Sequence, residues 1–236
     1  MLKKVLTAAV LGVSTLSIMA ANAADPGIYI TGQLGYAKTH LGSKTNIADI
    51  NNNLPMGSTI NLDNGATNIS NDGFAGRLAL GYQFNENFAL ELGYMQLRPK
   101  KVHGEFINNA IAPVPVTIPG SISLNQNAID VAAKGIIPIA SNFSVYAKLG
   151  VAYLTTTLKG KLDIPDDLHP TPASIDLNTA ANIAKHKWAP EAAIGVSYDI
   201  TPNVSIDTSW THIQPLGKNR PGNIDFVAVG VGYNFG

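Results

Sequence analysis

Five histidines are the residues in this chain best suited to acid–base chemistry, at positions 40, 103, 169, 186 and 212. Acyl transfer or lipid cleavage would need one of them beside a serine and an acid. His212 lies near a predicted strand end, with Ser209 three residues before it. An odd spacing in a strand puts two side chains on opposite faces. The other four histidines lie in long polar connections. The sequence therefore predicts no catalytic site and no enzyme.

Metal and cofactor chemistry is also poorly supported. Asp166, Asp167 and His169 are metal-ligating types, but they lie in a polar connection with no predicted element to hold them in place. The chain has no cysteine, which excludes disulfides and thiolate sites. Its 16 basic and 16 acidic residues leave no basic surplus for nucleic acid. We expect no metal, no cofactor and no nucleic-acid partner.

Charged residues that share a strand face with glycine and alanine suggest a different kind of site. In GFAGRLALGYQFNENFALELGYMQL, residues 73–97, large apolar side chains take alternate positions. The positions between them hold small residues together with Arg77 and Glu91. In a soluble protein the bulky face would be the core, whereas in a bilayer it would contact lipid and the small face would line a lumen.

Eight segments carry this period-two alternation, which is typical of strands. They centre on GIYITGQLGYA, GFAGRLALGYQF, FALELGYMQL, AIDVAAKGIIPI, FSVYAKLGVAYL, WAPEAAIGVSYDI, VSIDTSWTHI and DFVAVGVGYNF. Each has roughly 9–12 residues, the length that a tilted strand needs to cross a bilayer.

The connections between these segments alternate in length. Short turns lie near residues 85–87, 140–142 and 201–203, and long polar connections cover residues 38–72, 98–123, 155–187 and 214–222. Such sorting is typical of the periplasmic and outer faces of a membrane barrel. We therefore predict an all-β fold: an eight-stranded antiparallel transmembrane β-barrel with short periplasmic turns and long outer loops. A secreted β-sandwich is the alternative, but it does not account for the loop sorting. It also does not account for the aromatics that end the bulky face near the turns: Tyr82, Phe84, Phe88, Phe143, Tyr198, Tyr233 and Phe235.

The N-terminal residues indicate the compartment. MLKK, an apolar stretch and Ala21-Asn22-Ala23 have the layout of a secretory signal peptide. We predict a signal peptide at residues 1–23 and a barrel domain at residues 24–236, with a retained N-terminal anchor as the alternative. Removal of Lys3 and Lys4 leaves 14 basic against 16 acidic residues. The predicted location is the outer membrane of a Gram-negative bacterium.

Several segments resemble, in order, the strands and turns of the OmpA transmembrane barrel. They are IYITGQLGYAKTH, GYQFNENFALELGY, DVAAKGIIPI, FSVYAKLG, GVSYDITPNVS, NRPGN and the ending GYNFG. OmpA proteins continue into a peptidoglycan-binding domain, and this sequence stops where the hinge to that domain would begin. We expect the barrel domain only, without peptidoglycan anchoring.

Seven charged residues are predicted to lie in the lumen: Arg77, Glu91, Asp130, Lys134, Lys148, Glu191 and Asp207. Side chains just fill an eight-stranded barrel, so these charges are cut off from bulk water and should be paired. We expect Glu91 to pair with Lys134, Asp207 with Lys148, and Arg77 with Asp130 or Glu191. The network could be a satisfied polar core or a gate that rearranges to let ions pass.

The resemblance places three of these charges at positions of an ionic network in OmpA: Glu91, Lys134 and Lys148. Two positions depart from the OmpA pattern, since Asp207 stands where the family has an arginine and Ser197 where it has a glutamate. A glutamate–arginine bridge of the family type therefore cannot form at these two positions.

Basic residues concentrate in or beside the long connections. Nine of them form a predicted rim that could pair with lipopolysaccharide phosphates, or could be ordinary solvated loop charge: Arg98, Lys100, Lys101, Lys159, Lys161, Lys185, Lys187, Lys218 and Arg220. At the end of the chain, Gly230, Tyr233 and Phe235 resemble the last-strand signal read by the outer-membrane insertion machinery.

The predicted function is structural and display-related: envelope integrity and loop contact with lipopolysaccharide, a host surface or phage. The alternative is a narrow ion or small-solute pore gated by lumenal charges. We expect a monomer whose partners are outer-membrane lipids, lipopolysaccharide and the insertion machinery.

Overall fold

The structure is a computed structural model that describes residues 26–41, 46–54, 57–63, 72–108, 116–163 and 174–235. The predicted signal peptide lies outside these residues, as do Asp166, Asp167 and His169. The described part contains β1 (Gly27–His40), α1 (Ile47–Asn52), β2 (Ser58–Leu62), β3 (Gly73–Asn85), β4 (Phe88–Leu97), β5 (Lys100–Asn108), β6 (Val116–Ala140), β7 (Phe143–Leu162), β8 (Ser174–Asp176), β9 (His186–Asp199), β10 (Val204–Ile213) and β11 (Asn223–Asn234).

Eight of the strands form a closed antiparallel ring in the order β1–β3–β4–β6–β7–β9–β10–β11. Pairing of β11 with β1, which sets Gln33 opposite Gly230, closes the ring. Every ring strand therefore has a partner on both sides, as hydrocarbon requires of backbone N–H and C=O groups. The predicted eight-stranded antiparallel barrel is confirmed.

Alternation decides which side chains face outward. Along β3, Phe74, Leu78 and Leu80 are exposed, whereas Ala75 and Arg77 are buried inside. Outward aromatics mark the two edges of this apolar wall. On β9, Tyr198 and Trp188 lie ten residues apart, which at about 3.3 Å per residue and a tilt of roughly 40° is about 25 Å, the height of the lipid-facing band of such barrels.

The short turns satisfy their own polar groups. The Asn85 side chain accepts from the backbone N–H of Asn87 at 2.9 Å, and the Thr201 hydroxyl accepts from the N–H of Val204 at 3.0 Å. The Asn142 side chain donates to the Asp199 carbonyl at 2.8 Å. These turns form the end of the barrel that is predicted to face the periplasm.

The sheet continues beyond the barrel wall at the other end. Strands β6 and β7 stay paired up to Gly120 and Leu162, β5 pairs with the first part of β6, β2 pairs with β5, and β8 pairs with β7. The prediction that residues 98–123 and 155–187 are only connections is therefore wrong. The period-two pattern continues into them, with Ile122 and Leu124 buried between half-buried or exposed neighbours.

This extension and the outer connections enclose an apolar cluster, the cap core. Its buried members are Leu41, Ile47, Ile50, Ile60, Leu62, Ile122, Leu124, Leu158, Leu177, Ala180, Ala181 and Ile183. Asn46 caps α1 by accepting from the N–H of Ala48, and the Asn51 side chain pairs with both backbone groups of Ile60. The outer connections thus pack together into one folded unit. In the described residues, no helix is long and apolar enough to span a membrane.

Candidate functional site: the filled lumen and the basic rim

Glu91 is the centre of the charged layer inside the barrel. Its Oε2 accepts from Lys148 Nζ at 2.6 Å and from Arg77 Nη1 at 3.2 Å. Its Oε1 accepts from the Tyr29 hydroxyl at 2.9 Å and lies 3.6 Å from Lys134 Nζ. The glutamate is almost completely buried. Three cations and a phenol therefore converge on one carboxylate, and the expected contact of Glu91 with Lys134 is present.

Arg77 also holds the second carboxylate of this layer. Its Nε and Nη2 donate to the two oxygens of Asp130 at 3.2 and 2.6 Å. Such a two-point contact is the strong geometry for an arginine–carboxylate pair. Of the two partners expected for Arg77, Asp130 is the one that it contacts.

Glu191 is the carboxylate of this layer without a cation. It is buried, and its Oε2 has no hydrogen-bond partner in the described part of the chain. No ion pair within 4 Å joins it to any of the described lysines and arginines. The cations are therefore unevenly distributed among the acids of this layer. The two lysines contact Glu91, and Arg77 contacts both Glu91 and Asp130.

Asp207 does not pair with Lys148, so that expectation is wrong. Its Oδ1 accepts from Gln33 Nε2 at 2.7 Å and from the Tyr146 hydroxyl at 2.9 Å. Strand register explains the difference. Asp207 and Ser144 lie opposite the same residue of β9, and so do Thr211 and Lys148. Lys148 is therefore four residues farther toward the outer end of the barrel than Asp207.

Tyr29 and Tyr146 close the charged layer from the periplasmic side, and sequence reasoning missed them. Lys134 Nζ lies 4.4 Å from the Tyr146 ring centre and 5.3 Å from that of Tyr29. Each ring packs directly against a glycine of the lumenal face, Tyr29 against Gly81 and Tyr146 against Gly195. A Cβ atom at either glycine would overlap the ring. The sequence does contain a sign of them: each tyrosine stands at a position where the alternation predicts an inward side chain.

Two further layers fill the barrel above the charges. The first is an apolar plug, which we define by its buried residues Ala37, Ala75, Met95, Leu97, Ala128, Ala152, Leu154, Ala189, Ile213, Ile224, Phe226 and Ala228. Above it, Gln126 accepts from Thr39 at 3.0 Å and donates to Thr156 at 3.2 Å. The cap core follows on the same strands, at Leu124 and Leu158.

A vestibule opens at the periplasmic end, with a cavity of about 90 Å³. Polar groups line it, among them Lys134, Asp199 and Asp207, and its inner end lies at Tyr29 and Tyr146. Neither Glu91 nor any member of the apolar plug lines this cavity. The vestibule is therefore a recess beneath the charged layer.

The nine rim residues do not form one ring. Four outward residues of the extension, two on β5 and two on β7, form a compact group that we call the basic platform: Lys101, His103, Lys159 and Lys161. Register through β6 aligns them in two rows, Lys101–Ser123–Lys159 and His103–Ser121–Lys161. Arg98 and Lys100 are exposed at the junction of β4 and β5.

The remaining rim residues lie apart from the platform. Lys185 forms a 2.6 Å pair with Asp176, and this ammonium together with the N–H of Asn178 holds the pKa of the Asp176 carboxyl below its ordinary value. Lys187 lies beside Gly217. Lys218 and Arg220 follow in the connection between β10 and β11, where Arg220 donates to the Pro215 carbonyl at 3.3 Å.

The one histidine–serine pair that the sequence suggested, His212 and Ser209, lies on opposite faces of the barrel wall. His212 contacts Asp225 at 2.8 Å on the outer face, and His40 lies 3.5 Å from the same carboxylate. Ser209 is buried inside the barrel, where it accepts from Gln33. In the part of the chain that the structure describes, no group of three metal-ligating side chains is arranged to hold an ion.

The predicted assembly residues lie on β11 and just after it. Tyr233 and Phe235 face outward, with ring centres 4.8 Å apart in an edge-to-face contact. Gly230 faces the lumen, where an added Cβ would lie 2.5 Å from Asp207 Oδ2. Their role in recognition by the insertion machinery stays a prediction.

Comparison with known proteins identifies the family. The sequence profile of the outer membrane protein β-barrel domain matches residues 8–235. The chain belongs to this family. The family and the closed ring together place the barrel in the outer membrane of a Gram-negative bacterium.

The chain is also similar to two proteins in sequence and to one solved structure. An uncharacterized protein of Coxiella burnetii is 28% identical over 225 residues, which cover 91% of this chain and 87% of that protein. Outer membrane protein A of Serratia marcescens is 26% identical over 164 residues, 66% of this chain but 38% of its own length. The crystal structure of Neisserial surface protein A has 16% identity and a TM-score of 0.46, and the match covers 89% of this chain and 97% of NspA.

Proposed function

We propose that this outer-membrane protein is a closed structural barrel that stabilises the envelope and displays a folded cap. The observation that carries the proposal is the filling of the lumen along β7. Lys148 belongs to the charged layer, Leu154 to the apolar plug and Leu158 to the cap core. An ion crossing the barrel would have to separate buried ion pairs and then enter an apolar layer, and both steps are costly.

Bilayer recording tests this proposal. The refolded mature protein should give no discrete current steps, whereas a Phe226→Ala, Met95→Ala variant, which removes two large plug side chains, should give small ones. Single-channel steps from correctly folded wild type would contradict a closed barrel.

A narrow pore is the second candidate, and the periplasmic vestibule is the observation in its favour. In that case the charges around Glu91 would control the current, and Glu91→Gln would change single-channel conductance. An unaltered conductance in a conducting protein would remove Glu91 from any gating role.

We also propose that the protein is a monomer without catalytic activity. The separation of Ser209 inside from His212 outside supports the absence of a catalytic pair. Mass spectrometry of lipid A from cells with and without the protein tests this, since an enzyme acting on that lipid would change its mass.

Any contact with a host surface or phage would be made by the cap. The segment 38–72 supplies Leu41, Ile50 and Ile60 to the cap core. Deleting that whole segment would therefore unpack the cap, so exposed point substitutions are the better test of attachment.

A further inference from the structure

We propose that the basic platform binds the phosphorylated saccharide core of neighbouring lipopolysaccharide molecules. This inference deepens the proposed display and envelope role and rests on it. Five observations support it: the direction that the platform faces, its height above the membrane, the packing behind it, its available charges and the distances between its cations.

The platform faces sideways, away from the barrel axis. Lys159 has the same outward parity on β7 as Tyr153 and Val151 of the lipid-facing wall. On β6, Ser123 likewise continues the outward face of Ile129. A surface that continues the wall upward is directed toward the molecules that surround the barrel in its own membrane. Lipopolysaccharide occupies that position in the outer leaflet.

The height of the platform matches a saccharide layer. Tyr153 packs edge-to-face against Trp188, with ring centres 5.0 Å apart, at the outer aromatic edge of the apolar band. Lys159 and Lys161 follow six and eight residues later on the same strand. At about 3.3 Å per residue and a tilt of roughly 40°, they stand about 15–20 Å above the aromatic edge. They are therefore beyond the acyl chains.

The platform is held by packing on its opposite face. Ile122 of β6 and Leu158 of β7 are buried in the cap core directly behind it, with Phe106 of β5 against them. A Cβ at Gly160 would lie 3.0 Å from the Phe106 ring, so the sheet and the core are in close contact. The lysine backbones are thereby fixed in register, and little backbone order has to be gained on binding.

Two platform lysines are available for an anion. Lys101 and Lys159 form no ion pair within 4 Å among the described residues, and Lys161 lies 3.9 Å from exposed Asp163. Besides Asp163, the nearby acids at the described positions are Glu105 on β5 and Asp176, the residue of β8 opposite Lys159. Asp176 is already paired with Lys185.

The spacing suits a ligand with several anionic groups. Lys101 and Lys159 lie two strand spacings apart, about 9.6 Å, because one strand lies between them, and Lys159 and Lys161 lie two residues apart along β7, about 6.6 Å. Ser121 and Ser123 lie between the cations on the same face, and the Ser123 hydroxyl donates to the Lys159 carbonyl at 3.5 Å. Phosphates attached to successive sugars are anions of this kind, and each ammonium–phosphate contact is charge-assisted.

The test compares two variants with the same charge change. Lys101→Gln, Lys159→Gln removes two platform charges, and Lys187→Gln, Lys218→Gln removes two rim charges elsewhere. Each protein is refolded into phospholipid vesicles that contain increasing amounts of rough lipopolysaccharide, with its core phosphates intact or enzymatically removed. The readout is the lipopolysaccharide content that gives half of the maximal rise in Tm.

The platform variant should need roughly thirtyfold more phosphorylated lipopolysaccharide than wild type, at about 1 kcal/mol for each lysine. The control variant should stay close to wild type, and Lys101→Arg, Lys159→Arg should retain binding. An equal response of the platform variant and wild type, or an equal response to dephosphorylated lipopolysaccharide, would overturn the proposal.

A soluble sulfated oligosaccharide is tested separately as an alternative ligand of the platform. If it binds through Lys101 and Lys159 while lipopolysaccharide phosphate has no effect, the proposal is wrong and the ligand comes from the medium. Bilayer recording of the same variants keeps the two proposals distinguishable, because a closed lumen does not depend on the platform lysines.

Discussion

Lys148 Nζ and Arg77 Nη1 donate to the same oxygen of Glu91, at 2.6 and 3.2 Å. One buried carboxylate thus serves two cations at a single atom, while its other oxygen accepts from Tyr29. Each of these groups is removed from bulk water in the lumen. We therefore expect the loss of this one carboxylate to remove the counter-charge of several buried cations at once.

Glu91→Gln should destabilise the protein by about 3–5 kcal/mol, because it leaves buried cations without their counter-charge. Urea unfolding of the protein refolded in bilayers, followed by tryptophan fluorescence, measures this loss. Glu86→Gln in the exposed first turn is the control and should change stability by less than about 0.5 kcal/mol. A Glu91→Gln variant as stable as this control would contradict the central role of Glu91.

Glu191→Gln should behave in the opposite way. The Glu191 carboxylate is buried, has an unpartnered oxygen and forms no ion pair among the described residues. Removing its charge avoids a desolvation cost, so stability should stay equal or rise by about 1–2 kcal/mol. Asp130→Asn is the comparison, because it breaks the two-point contact with Arg77 and should be strongly destabilising. Equal losses in the two variants would show that Glu191 has a partner in the membrane.

The barrel could be predicted from sequence because its signal is local. Alternation within each strand places Arg77 and Glu91 inside, and the length of each connection assigns it to one end. Glu91 and Lys134 were also correctly matched, since they lie on adjacent strands at nearly the same height, with Ala89 opposite Lys134.

The remaining features depend on relationships between strands that local pattern does not determine. The expected pair of Asp207 and Lys148 does not form, because the stagger through β9 separates the two residues by four positions. The cap core joins residues as distant as Leu41 and Ile183. Leu41 and Ile183 lie in different outer connections, so no local pattern around either residue indicates that they meet.

Gly93→Ala should disrupt the charged layer by steric means. An added Cβ would lie 2.5 Å from Arg77 Nη2 and 2.5 Å from Asp130 Oδ1, and both atoms belong to the two-point contact between these side chains. The methyl group would displace that pair, at a cost of about 1–3 kcal/mol typical of overpacking. Gly135→Ala is the matched control, because its Cβ would meet nothing within 4 Å. Urea midpoints in the same bilayers should separate the two variants, and coincident midpoints would refute the close approach at Gly93.

Ile60→Ala should open the cap without unfolding the barrel. Ile60 is almost completely buried in the cap core, and its backbone is held by the Asn51 side chain. The truncation should cost about 2–5 kcal/mol within the cap, because a cavity forms behind a packed sheet. The ring strands satisfy their hydrogen bonds independently of the cap, so the heat-dependent gel shift of the barrel should persist. Limited proteolysis from outside intact cells should then cleave the outer connections of Ile60→Ala at least tenfold faster than those of Ile175→Ala, whose side chain is exposed. Equal cleavage rates would mean that the outer connections open independently of their common core.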